Sequence, residues 1–197
     1  MMMYKESIHL IYVWLIPAIW LVWLGFWIFF SRNVRPTSER EPPMSRCIHL
    51  SLVGLAIALI TLPVFRRGPL GWHWLPTTPS SFFVGVAILV SGCIFAIWAR
   101  RYLGTNWSGT ITVKKEHELV RNGPYSFARH PIYTGFIMGI AGSAIALGEL
   151  RGILAVFLFI VAYLRKIRIE EKWLIAHFGQ AYKDYRKDVR ALIPFIF

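Results

Sequence analysis

The stretch Ile8–Phe30, IHLIYVWLIPAIWLVWLGFWIFF, contains no Lys, Arg, Asp or Glu. A helix rises about 1.5 Å per residue and bilayer hydrocarbon is about 30 Å thick, so roughly 20 apolar residues are enough to cross it. This run reads as a spanning helix. Pro17 within it would break a soluble helix, but packed membrane helices re-satisfy the freed backbone groups, so a kink is expected. The run is too long for a signal-peptide core and has no obvious small-residue cleavage site. The rest of the chain agrees. Its 197 residues are 56% hydrophobic and include nine Trp, and the mean hydropathy is +0.50, values that do not suit an ordinary soluble domain.

Working outward, Cys47–Phe65 and Ser81–Ala99 give two further spans, joined by RRGPLGWHWLPTTPS (66–80), whose Pro, Gly and Trp suit a headgroup-level turn. Ile132–Gly148 and Gly152–Leu164 supply a fourth and a fifth. The fifth covers only about 20 Å, so a full crossing must continue to near Glu171, and charged side chains begin at membrane depth. The expected fold is an all-α integral membrane protein with about five transmembrane helices and a C-terminal amphipathic helix. Residues 1–99 read as a three-helix scaffold and 100–197 as the functional region.

Charge sets the orientation. Alternating the loops places 18 of the 22 Lys and Arg on one side, leaving Lys5, Arg66, Arg67 and Arg151 on the other. The positive-inside rule then puts the N-terminus outside and the C-terminal helix in the cytosol. A net charge of +12 therefore calls for no nucleic acid, because a basic face meeting anionic lipid accounts for it. Cys47 and Cys93 lie in different helices without metal-like spacing and read as unpaired thiols, and no metal site is expected. Asn106-Trp107-Ser108 matches a glycosylation acceptor, but this topology puts it in the cytosol. Neither a Walker loop nor a GxGxxG occurs.

Two polar, aromatic-rich segments fall at the same edge of the last hairpin: RNGPYSFARHPIY (121–133) before the fourth span and RIEEKWLIAHFGQAYKDY (168–185) after the fifth. With equal rise in both helices and the turn at Glu149-Leu150-Arg151, reflection about position 150 brings His130 and Tyr133 near Glu170. Gly135, Gly139, Gly142, Ser143 and Ala146 are expected to favour this close approach. Pro131 suits the first turn of the fourth helix, so Arg129 and His130 lie at its N-terminus, where helix N–H groups, a guanidinium and an imidazole favour an anionic group. Lys166 with Glu170 on an exposed helix would give a bridge of only about 0.3–0.5 kcal/mol. At membrane depth such charges usually face a partner or a wet cavity.

The order HELVRNGPYSFARHPIY (117–133), a helix, EEKWLIAHFGQAYKDY (170–185) and Leu192-Ile193-Pro194 resembles the isoprenylcysteine carboxyl methyltransferase family and its relatives, the phospholipid N-methyltransferases. The match covers roughly Arg100 to Pro194. The resemblance implies a multi-pass membrane enzyme using S-adenosylmethionine, with its active site facing the cytosol and a lipid-like or prenylated acceptor entering from the bilayer. It implies cofactor contacts at His117, Glu118, Leu119, Val120, Tyr125, His130, Pro131, Ile132, Tyr133, Glu170 and Glu171, with Glu170, Arg129 and His130 nearest the chemistry. The family's basic residue one turn before the acidic one holds the acceptor carboxylate. Here that position is Lys166 rather than arginine, a point charge instead of a bidentate fork, which leaves Arg165 and Arg168 as alternatives.

Methyl transfer from a sulfonium to a carboxylate with a pKa near 4 needs no general base, consistent with so few candidate catalytic groups. An amine acceptor would first have to lose a proton. Other readings are a phospholipid amine methyltransferase, a nicotinamide-dependent reductase like the sterol reductases, and a non-enzymatic lipid-binding scaffold. Ion-coupled transport fits poorly, because the first four spans lack charged residues.

Overall fold

The computed structural model describes residues 2–30, 37–107, 112–114 and 119–192. Among the described residues there are six α-helices: α1 (Met2–Phe30), α2 (Pro43–Thr61), α3 (Pro79–Leu103), α4 (Pro131–Leu147), α5 (Leu150–Phe178) and α6 (Gln180–Asp188). Two short strands depart from the all-helical expectation. β1 (Thr37–Arg40) pairs antiparallel with β2 (Thr112–Lys114), tying the α1–α2 connection to the α3–α4 connection.

Pro43–Thr61 and Pro79–Asn106 are long and apolar enough to cross a bilayer, and Trp14–Phe30 and Pro131–Leu147 are shorter apolar helices. Large apolar side chains such as Leu21, Val22, Phe29, Ile94 and Phe157 point outward, the arrangement expected where the surrounding solvent is lipid. The expected second span ends early. Leu62 precedes Pro63, is extended, and stops α2 at Thr61. The fifth helix instead runs far past its apolar run. Its 29 residues span about 43 Å, longer than the roughly 30 Å of bilayer hydrocarbon.

The small residues of α4 do not serve the α4–α5 hairpin as expected. A Cβ on Gly135 would lie 2.5 Å from the Gly92 carbonyl oxygen, and one on Gly142 would lie 2.5 Å from that of Gly85, so this stripe docks α4 backbone to backbone on α3. Gly139 receives the Trp20 ring of α1, and Ser143 accepts a hydrogen bond from Trp20 Nε1 at 3.1 Å. Small residues bring α5 against α4 at Gly152–Ala144, and Ala155 is buried in the cluster that contains Ile140. Beyond them, larger side chains fill the hairpin: Phe159 and Tyr163 pack with Ile140, joined by Ala56 and Leu59 of α2. Three inner faces on one α4 stripe fix its rotation, which in turn aims Tyr133 and Phe136 at α5.

The hairpin turn is Gly148–Glu149 rather than Glu149–Arg151, since α5 starts at Leu150. Gly148 adopts φ 66°, ψ 11°, the left-handed helix cap that glycine adopts without strain. Arg151, read from the sequence as a loop charge, is buried in the first turn of α5. Its Nη1 donates to the carbonyls of Leu59, Ile60 and Leu62 at 2.9, 3.0 and 3.3 Å, satisfying the C-terminus of α2, while its Nε meets Glu149.

Candidate active site

At the open end of the hairpin, His130 is the N-cap residue of α4 and Pro131 its first residue. The chain around them is pinned from the C-terminal side. Arg129 N–H donates to Arg190 O (2.8 Å), His130 N–H to Ala191 O (2.9 Å), and Thr134 Oγ1 to Leu192 O (2.8 Å). Gly179, at φ 57°, separates α5 from α6 and turns the chain back to make these contacts.

Four side chains from α4 and α5 then converge. Tyr133 Oη donates to Glu170 Oε2 at 2.7 Å, and His130 Nδ1 lies 3.8 Å from the same oxygen. The His130 and Tyr133 rings are parallel within 3°, centroids 5.5 Å apart. Reflection about position 150 therefore finds the correct partners. Lys166 is buried, with Nζ 5.4 Å from the Tyr133 ring centroid, on the same side as Glu170 one turn earlier.

Glu171 plays a different part from its neighbour. Its Oε1 is gripped by Arg129 through Nη2 at 2.7 Å and Nε at 2.8 Å, its Oε2 meets Arg186 Nε at 3.2 Å, and His130 Nε2 lies at 3.4 Å. Burial would raise this carboxyl, but hydrogen bonding and charge from His130 and then Arg129 outweigh it and hold the group down at about 2. It stays ionised and locks α4, α5 and α6 together. Glu170, with its side chain 29% exposed, is the acid of the pair that still faces accessible space.

The remaining residues picked from the sequence distribute unevenly. Tyr125 sits in a 3₁₀ turn, Gly123–Ser126, with its ring packed among Trp27, Ala96, Ala99 and Ile132. Burial, then the nearby Glu170, pushes its phenol well up, so it is neutral. Pro131 and Ile132 are buried, Val120 packs on the edge of that same cluster, and Leu119 is half-buried beside it in sequence. His117 and Glu118 lie outside the described residues, as do Ile193 and Pro194. Of the basic alternatives, Arg165 is committed to α2, donating to Ser45 O and Ser45 Oγ at 3.1 Å each. Arg168 is exposed and turns into a separate groove beside Leu164 and Ile167. Only Lys166 lies with Tyr133 and Glu170.

Two aromatic residues were not singled out. Tyr185 Oη donates to Tyr125 O at 2.5 Å, holding the 3₁₀ turn on α6. Tyr182 is 1% exposed, within electrostatic reach of Glu171, Glu170 and Arg129, and its hydroxyl finds no hydrogen-bond partner among the described residues. Their spacing on α6 was the available signal, since three residues apart place both on one helical face.

Apolar helices with an acid, a tyrosine, an imidazole and a buried lysine gathered at one tip of a hairpin define a multi-helix membrane protein with a polar site at its edge. The chain belongs to the phospholipid methyltransferase family, whose model matches residues 80–181. It is 33% identical over 128 residues to a protein-S-isoprenylcysteine O-methyltransferase of Dictyostelium discoideum, covering 62% of this chain and 54% of that protein. It is 34% identical over 116 residues to the Saccharomyces cerevisiae protein of the same name, covering 57% and 48%. The solved structure of a eukaryotic intramembrane Ras methyltransferase, an isoprenylcysteine carboxyl methyltransferase, superposes with a TM-score of 0.56 at 26% identity, over 81% of this chain and 55% of that one. The chain spans about half the length of the curated relatives it matches.

Proposed function

We propose that this protein transfers a methyl group from S-adenosylmethionine to the carboxylate of an isoprenylcysteine or a similar lipid-like acceptor. The observation that carries this reading is the convergence of Tyr133, His130 and Lys166 on the Glu170 side of the hairpin tip. Three further considerations support it: family membership, the relatives' shared activity, and the opening of the tip at the end of an apolar helix pair.

The donor set suits the cofactor's chemistry. S-adenosylmethionine, when bound, supplies an electrophilic methyl on a positively charged sulfur. Glu170 offers an ionisable acid for the cationic part, His130 stands at the N-terminus of α4, which favours a carboxylate, and the buried Tyr182 hydroxyl is a donor still to be used. Tyr133 fixes the Glu170 oxygen by a charge-assisted hydrogen bond. The Arg129–Glu171 clamp sets the N-terminus of α4 at the distance this needs.

Lys166 is the acceptor-side residue in this reading. A buried ammonium attracts a carboxylate and repels an ammonium, so it favours carboxyl over amine transfer. The acceptor carboxylate is already ionised at neutral pH, and the residues' task is to align it and exclude water. We also read the site-bearing tip, where most Lys and Arg gather, as cytosolic, the N-terminus as external, and residues 1–99 as the support for the region from 100 onward.

The test is a labelled-methyl assay on the full chain, offering an S-prenylated cysteine derivative and phosphatidylethanolamine in parallel. Label in a base-labile ester on the prenylcysteine supports the proposal. Label only on the amine headgroup transfers the assignment to the phospholipid side of the family. Label in neither, together with no heat of S-adenosylmethionine binding, refutes methyl transfer.

A further inference from the structure

A second concavity lies on the far side of Glu171. The break at Gly179 leaves a V between α5 and α6, and the V holds a groove of about 650 Å³. Its α5 wall is Leu164, Ile167, Arg168 and Glu171, and its other wall is Lys183, Arg186, Lys187 and Arg190, with Arg129 and Ala191 completing the lining. The α5 wall follows the i, i+3, i+4, i+7 spacing of one helical face, and Lys183, Arg186 and Lys187 share a face of α6, with Arg190 following in the extended tail. Tyr133, Lys166 and Glu170 do not line it, so the groove adjoins the candidate active site through Arg129 and Glu171 but opens away from its hairpin-tip residues.

The charges in the groove do not balance. Glu171 is its single carboxylate and is already shared between Arg129 and Arg186, at 2.7 and 3.2 Å. Lys187 is paired with Asp184 at 2.8 Å. Arg168, Lys183 and Arg190 are exposed and have no acidic partner among the described residues. A groove with this excess selects an anion, and several cations around one site suit a phosphate.

The surface next to it narrows the class of ligand. Ile153, Phe157 and Val161 form an outward apolar strip on α5, with Phe157 61% exposed, and the strip runs into Leu164 and Ile167 at the mouth of the groove. The strip lies on the apolar part of the helix and the cations lie just past it. A free anion would use the cations and leave the strip unused, whereas an anionic amphiphile uses both.

We propose that the α5–α6 groove binds an anionic phospholipid, its phosphate held by Arg168, Lys183 and Arg190 and its acyl chains lying along Ile153, Phe157 and Val161. The site is independent of the methyl-transfer reading, since lipid binding here requires neither cofactor nor acceptor.

The full chain, purified in mild non-ionic detergent at low salt, is titrated with dioctanoyl phosphatidylglycerol, with dioctanoyl phosphatidylcholine and with sodium phosphate, and bound lipid is counted by native mass spectrometry. The expected result is at least ten-fold tighter retention of phosphatidylglycerol than of phosphatidylcholine. Each of Lys183→Gln and Arg190→Gln should weaken it about five-fold, the effect of one basic residue near an anionic headgroup. Both positions are exposed on α6 and its tail, so the variants are expected to fold, and circular dichroism checks this. Equal retention of the two lipids overturns the proposal, as does full retention by the double variant. Displacement of phosphatidylglycerol by an equal concentration of inorganic phosphate would also overturn it, by making the groove a site for a free anion.

Discussion

The α4–α5 hairpin carries a buried carboxylate–guanidinium cluster at each tip, and the two are finished differently. At the closed tip Glu149 and Arg151 are each 2% exposed, Arg151 spends its donors on Glu149 and on three carbonyls of α2, and the second Glu149 oxygen takes Arg66 Nε at 3.3 Å. At the open tip Glu171 is equally engaged, by Arg129, Arg186 and His130. Its neighbour Glu170 keeps an exposed edge, and Tyr182 keeps an unmatched hydroxyl. Burial and ion pairing are therefore common to both tips, and neither marks a site. What distinguishes the open tip is hydrogen-bonding capacity left over after the fold has been satisfied.

The contrast is most exposed at the closed tip. Arg151→Met removes the side chain that caps three α2 carbonyls and leaves the buried Glu149 with Arg66 as its remaining cation, and breaking a buried pair in this way costs about 3–5 kcal/mol. Thermal unfolding in detergent should show it, with activity falling only as the folded fraction falls. A loss under about 1 kcal/mol would mean that the closed tip is no more committed to the fold than the open one.

Acid probes the engaged half of the open tip. Glu171 has a folded-state pKa lowered to about 2, so its stabilisation is complete above its unfolded value and disappears as the pH falls from there through about 2. The contribution is about 3 kcal/mol at neutral pH. Stability should be level between pH 7 and 5 as far as this group is concerned and should drop below about pH 4. Glu171→Gln should lower the neutral plateau and flatten the acid limb. An unchanged acid limb in the variant would assign the drop to other carboxylates.

How much of this was legible in the sequence depends on the kind of regularity involved. Helix rise is uniform, so counting from position 150 is enough to bring His130 and Tyr133 to Glu170. Pro131 marked the start of α4, and Pro63 could have marked the end of α2. The partner of the α4 glycine stripe was not legible, because small residues announce close approach without naming the helix that approaches. They face α3, through Gly85 and Gly92. Arg151 was hidden for a related reason: a charge beside a turn reads as a loop charge unless the carbonyls it caps, some ninety residues earlier, are known. The roles within the Glu170–Glu171 pair depend on a 100° step around α5 combined with the return of α6. No local pattern encodes that return beyond Gly179.

Glu170→Gln sharpens the comparison from the functional side. It removes the charge of the one acid with an exposed edge while keeping its shape and its ability to accept from Tyr133. Under the proposed function, methyl transfer should fall on the order of 100-fold, about 2.7 kcal/mol of transition-state stabilisation. The unfolding temperature should stay within a few degrees of the parent. A fall in stability as large as that of Arg151→Met, with activity per folded molecule unchanged, would place Glu170 with the structural carboxylates.

The smallest effect discriminates most finely, because stability and binding should move in opposite directions. Tyr182 buries its ring in the fold, but its hydroxyl has no partner among the described residues. A buried polar group left unpaired costs about 1–3 kcal/mol. Tyr182→Phe should therefore leave the cofactor-free protein as stable as the parent, or more stable by up to about 1 kcal/mol. If the hydroxyl serves the ligand beside Glu170 and Arg129, S-adenosylmethionine should bind the variant roughly five-fold more weakly, the loss of about one hydrogen bond. Thermal shifts with and without cofactor measure both. A variant that is less stable and binds equally well would show that the hydroxyl is bonded within the fold. The open tip would then be as fully satisfied as the closed one, and Glu170 alone would carry the distinction between them.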